Sequence, residues 1–163
     1  MMDTVSITES QPPEVVDYIK YIRSMIGKKP FIGCTASVIV LKGDQTLMQR
    51  RADTGNWCYP GGFMEMGETV EQCAAREMYE EVGLQATALK FFGIFSGPEH
   101  RVVYPNGDEV FIVDHVYLCK DFTGTEMMLD GEAVELKWFS TTALPTKISR
   151  NCQRVLEAVF GSK

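Results

Sequence analysis

Three patterns of apolar and polar positions run along this chain, and each predicts an element. Over residues 12–26, Val15, Ile19, Ile22 and Ile26 recur at the spacing of one helical stripe. Pro12 and Pro13 suit a first turn, and Gly27 follows as a stop, so an opening helix is expected. Residues 31–41 are β-branched and apolar. Ile32, Cys34, Ala36, Val38 and Val40 alternate with a second face carrying Thr35 and Ser37, which predicts a strand with one apolar face. Lys42-Gly43-Asp44 reads as a tight turn into a second strand over 47–51, and 57–60 as a short strand entering a Gly-Gly loop.

The clearest helix spans 69–82. Thr69 and Gln72 have the spacing of a capping box, and Gly83 marks the end. Strand-like runs follow at 86–95 and 101–104, then the turn Pro105-Asn106-Gly107-Asp108. The run 110–119 is apolar on both faces except for Asp114 and His115, as expected of a central strand covered on both sides. A loop over 121–133, a strand over 135–139 and a final helix with Ile148, Cys152, Val155 and Val159 on one face complete the order. The simplest layered solution is an α/β fold, a mixed β-sheet sandwiched between α-helices.

Composition narrows the class. At 163 residues and 45% hydrophobic content, the expectation is a single domain over 1–163 with a flexible stretch at 1–10. A formal charge of -6 argues against broad binding to nucleic-acid polymers or anionic membranes. A small polyanion can still bind if a metal ion bridges it. Five cysteines, odd in number and without a CxxC pair, favour neither a disulfide framework nor a zinc site. With no run of ~20 apolar residues and an acidic, polar start, a cytoplasmic location is expected.

The chemistry concentrates in residues 62–84, GFMEMGETVEQCAAREMYEEVGL. At ~100° per residue, Glu77, Glu80 and Glu81 share one helix face beside an apolar face of Ala74, Ala75, Met78 and Val82. Like charges three and four residues apart repel by roughly 0.2–0.5 kcal/mol per pair, so a helix that gathers them needs a compensating cation. Carboxylates are hard ligands that suit Mg²⁺ together with water and phosphate oxygens. Gly61, Gly62 and Gly67 are read as giving the preceding loop positive φ and a close backbone approach.

This segment resembles the Nudix box. Gly62, Glu68, Arg76-Glu77, Met78, Glu80-Glu81, Gly83 and Leu84 stand at its defined positions, a coincidence expected roughly once in ten million by chance. The resemblance implies the Nudix fold and a pyrophosphohydrolase using Mg²⁺, with Mn²⁺ as a substitute. It implies metal ligands at Gly61, Glu77, Glu80, Glu81 and Glu132, and catalytic roles for Glu77, Glu80 and Arg76. Substrate contacts are implied at Arg51 and Glu68. Arg76 is read as orienting a carboxylate or fastening the Gly-Gly loop.

The implied substrate is a small nucleotide, a nucleoside diphosphate linked to another moiety. ADP-ribose comes first, nucleoside triphosphates of the MutT housecleaning type second, and a non-catalytic nucleotide sensor third. Trp57, Tyr59 and Tyr104 are read mainly as packing aromatics, His115 as a satisfied buried histidine, and the opening helix as a candidate homodimer contact.

Overall fold

The computed structural model describes residues 4–6 and 17–161. Thr4–Ser6 form strand β1, which lies within the stretch expected to be flexible; the rest of that stretch lies outside the described residues. The opening helix α1 is Tyr18–Ile26, capped by the Asp17 carboxylate, and its expected beginning at 12–16 also lies outside them. Next come β2 (Phe31–Lys42), β3 (Gln45–Arg51), β4 (Trp57–Cys58) and β5 (Gly61–Phe63). Helix α2 (Val70–Val82) is followed by β6 (Leu84–Phe95), β7 (Arg101–Val103), β8 (Glu109–Gly124), β9 (Ala133–Ser140) and helix α3 (Arg150–Phe160).

The strands form one mixed sheet in the order β1-β6-β8-β2-β3-β4, with β5 on β2, β7 on β8 and β9 on β3. Its central pair is parallel, Phe31 to Val40 against Val110 to Cys119. Beside that pair the sheet divides. The other side of β2 meets β5 at Thr35, Ala36 and Ser37, but meets β3 at Leu41 and Lys42.

Both faces of β2 are covered, so its second face is more deeply buried than the alternation suggested. Ala36, Val38 and Val40 pack with Cys73, Ala74, Met78 and Val82 of α2. Ile39 packs with Val116 and with Cys152, Val155 and Leu156 of α3. Thr35 and Ser37, which lie on the same face as Ile39, are therefore buried as well.

Helix α2 has the ends its sequence specifies. Thr69 accepts from the Gln72 amide, the Gln72 side chain accepts from the Thr69 amide, and Gly83 closes the helix at φ 74°. Helix α1, in contrast, buries none of its residues. It is held by Arg23, which donates to the carbonyls of Gly27 and Lys29 and lies 4.8 Å over the Phe31 ring. Strand β8 continues to Gly124, into the span expected to be loop. His115 is half-buried and lies 3.1 Å from the Thr35 carbonyl through Nδ1. No described helix is long and apolar enough to cross a membrane.

Removing the α2 cap tests this account. Thr69→Ala lowers folding stability by about 1 kcal/mol, seen as a reduced urea midpoint with an unchanged slope.

Candidate active site

The α2 capping box starts the helix at Val70, and from there the helical repeat brings Glu77, Glu80 and Glu81 round to the β5 loop. Arg76 ties them to it. Its Nη1 donates to Glu77 Oε1 at 2.7 Å and to Glu80 Oε2 at 3.0 Å. Its Nε and Nη2 hold the Glu68 carboxylate at 3.0 and 2.7 Å, and Nη2 also donates to the Phe63 carbonyl at 3.0 Å. Glu68 in turn accepts from the Glu65 amide. Burial raises the Glu68 pKa, but the Arg76 and Glu65 donors outweigh it and leave the carboxyl below its ordinary value.

The glycines matter by proximity. A β-carbon on Gly62 would lie 2.5 Å from the Glu77 carboxylate, and one on Gly61 would collide with Ser37. Positive φ, the expected reason for all three glycines, applies to Gly67 alone; Gly61 and Gly62 are not in the left-handed region. With no side chain in the way, the Gly61 amide donates to Glu81 Oε2 at 2.7 Å.

Glu81 is buried and faces a second acidic segment. Oxygens of Glu81, Asp130 and Glu132 lie within 4.8 Å of one another. The structure thus brings Glu132 to Glu81 and adds Asp130, which the sequence reading missed. Asp130 sits in an aperiodic loop, and no spacing rule ties it to the box. Among the described residues, no Lys or Arg forms an ion pair with any of these three carboxylates, while the single Arg76 serves Glu68, Glu77 and Glu80.

Burial accordingly pushes Glu77 up to about 7, Arg76 opposing and Glu80 and Glu132 adding to the rise. Burial, with the charge of Glu77, pushes Glu81 up to about 8. An all-oxygen donor set short of positive charge fits a hard divalent cation.

Glu77, Glu80, Glu81, Asp130 and Glu132 line a cleft of about 850 Å³. Arg51 lines it, and Asp53 holds its guanidinium through two bonds of 2.8 Å. Tyr59 and Tyr104 also line the cleft, whereas Trp57 packs edge-on against Phe139, with ring centroids 4.8 Å apart. Glu68 is not part of the cleft lining; its oxygens are taken up by Arg76 and the Glu65 amide.

The sequence from 33 to 159 matches the NUDIX domain model, so the chain belongs to the Nudix hydrolase family. A candidate 8-oxo-dGTP diphosphatase of Bacillus subtilis is 35% identical over 121 residues, 73% of this chain and 74% of that protein. The ADP-ribose pyrophosphatase of Methanocaldococcus jannaschii is 30% identical over 122 residues, 73% of this chain and 68% of its own length. The crystal structure of a MutT NUDIX hydrolase from Burkholderia pseudomallei superposes with a TM-score of 0.67 at 24% identity, covering 80% of this chain and 98% of that one, and supports the fold.

Two outcomes follow from the geometry. An unfolded glutamate titrates near 4.5, so between there and about 8 the folded, metal-free protein holds protons at Glu77 and Glu81 that the unfolded chain has released. Their contribution to stability is complete below that window and declines as pH rises through it. In EDTA the Tm therefore falls between about pH 5 and about pH 8, and Mg²⁺ raises it more at the upper end, as differential scanning fluorimetry would record. Gly62→Ala, which pushes a methyl group into Glu77, costs about 1–3 kcal/mol in urea unfolding and shrinks the Mg²⁺-induced rise.

Proposed function

We propose that this protein hydrolyses the diphosphate linkage of a nucleoside diphosphate joined to a second moiety, with ADP-ribose as the first substrate and Mg²⁺ as the cofactor. The observation that carries this reading is the meeting of the box carboxylate Glu81 with Asp130 and Glu132 in a nucleotide-sized cleft that Glu77 and Glu80 also line. Glu77, Glu80, Glu81, Asp130 and Glu132, with a backbone group of Gly61, would hold the metal. When bound, Mg²⁺ neutralises phosphate charge and lowers the pKa of a coordinated water.

Arg76 acts as a positioning residue. It keeps Glu77 and Glu80 on the cleft side of α2 and ties that helix to β5, the strand that carries Gly61. Glu68 steadies Arg76 from behind. Arg51 presents a guanidinium already oriented by Asp53, suited to a phosphate oxygen. A box glutamate without an ion-pair partner is suited to accept the proton of the attacking water.

A second reading, hydrolysis of nucleoside triphosphates, is favoured by the name of the Bacillus subtilis relative. A purely sensing role fits less well, because every box carboxylate is present.

A substrate panel with Mg²⁺ separates these readings. ADP-ribose gives AMP and ribose 5-phosphate, a triphosphate substrate gives a nucleoside monophosphate and pyrophosphate, and tight nucleotide binding without turnover would establish the sensor. Single Glu→Gln replacements at 77, 80 and 81 each lower kcat by about 10²-fold or more. The variant that keeps its metal affinity while losing turnover identifies the base.

A further inference from the structure

The cleft floor carries a polar cluster that the hydrolytic machinery does not use. Thr35 pairs with Asp114 across the parallel β2–β8 ladder, and Ser37 lies two residues along the same face. The Thr35 and Ser37 hydroxyls donate to Asp114 Oδ1 at 2.9 and 2.8 Å, and the Tyr59 hydroxyl donates to Oδ2 at 3.4 Å. All four residues line the cleft, flanked by Val110 and Ile112 of the same strand face.

The Thr35 and Ser37 hydroxyls each give their one proton to Asp114, and the Tyr59 hydroxyl lies between Asp114 and the Cys152 thiol. The lone pairs that remain are acceptors, as are the remaining sites on the carboxylate. Burial pushes the Asp114 carboxyl up, and the hydroxyls of Ser37, Thr35 and Tyr59 pull it back. Among the described residues, no Lys or Arg forms an ion pair with it. His100, the imidazole that interacts with it, is buried with both ring nitrogens unpartnered, and burial lowers its pKa. The floor therefore offers more hydrogen-bond acceptors than donors, and Val110 and Ile112 beside it are apolar.

We propose that this acceptor floor reads an exocyclic amino group on the nucleobase, and that Asp114 is the residue that sets this specificity. The inference rests on the nucleotide-hydrolase reading above and names the kind of base that the site takes. An amino group fills the acceptors, whereas a base without one leaves them buried and unpaired, the arrangement that gives the strongest discrimination per contact. Ribose hydroxyls are the other donors a nucleotide could bring to this floor, so the test includes the sugar without the base.

The experiment compares ligands that differ by one amino group, using the full chain in Mg²⁺. By titration calorimetry, AMP is set against purine riboside 5′-monophosphate, GMP against IMP, and ribose 5-phosphate is measured alone. At least one amino-bearing member is expected to bind about tenfold more tightly than its partner, the scale of one buried hydrogen bond. Asp114→Asn, whose amide supplies a donor, is expected to bring that ratio close to one, and Ser37→Ala to reduce it partway, with circular dichroism showing that each variant is folded. If Asp114→Asn does not fold, Ser37→Ala alone decides.

Equal binding within both pairs overturns the inference, as does an Asp114→Asn effect confined to ribose 5-phosphate. The hydrolase reading has a separate readout. Loss of turnover across the whole substrate panel, with amino discrimination intact, would remove that reading and leave the base preference standing.

Discussion

The guanidinium of Arg76 is the constraint on which the site depends. One planar group reaches Glu68, Glu77, Glu80 and the Phe63 carbonyl, and so joins the charged face of α2 to the end of β5 and the segment that leads from β5 into α2. Without it, the acidic side chains would repel along the helix and the loop would have no fixed distance from them. Its fork geometry serves several acceptors at once, which a lysine point charge would not reproduce.

Arg76 neutralises only part of the acidic charge, and this divides the site in two. Glu68, Glu77 and Glu80 share a cation belonging to the protein, while Glu81, Asp130 and Glu132 face one another with none. The first group fixes geometry and the second leaves a demand for positive charge that an external ion can meet. Gly61 and Gly62 make the arrangement compact, since a side chain on either would strike Ser37 or Glu77.

Local signals were legible in the sequence and long-range pairings were not. The α2 cap, its Gly83 stop and the shared face of Glu77, Glu80 and Glu81 follow from spacings of a few residues, and the structure has all three. Asp130 was invisible because its partner Glu81 lies in another element and no periodicity marks the loop between Gly124 and Ala133. Thr35 and Ser37 read as the more polar face of a half-covered strand, yet α3 and its neighbours bury that face. Glu68 holds a box position for which the resemblance implies a substrate contact, and its pairing with Arg76 and the Glu65 amide follows from no spacing rule in the sequence.

The parallel pairing of β2 with β8 has a kinetic consequence. Thr35 and Asp114 are 79 positions apart in sequence, and the hairpins and helix between them can form before that loop closes. Closure of this ladder therefore carries a large loop entropy, as does the pairing of β3 with β9, where Gln45 meets Ser140. A nascent chain that has emerged only as far as α2 already carries its glutamates but lacks Asp114 and the rest of β8. The Thr35–Asp114 contact is thus completed only once β8 has joined β2, after the element richest in acidic side chains can already be in place.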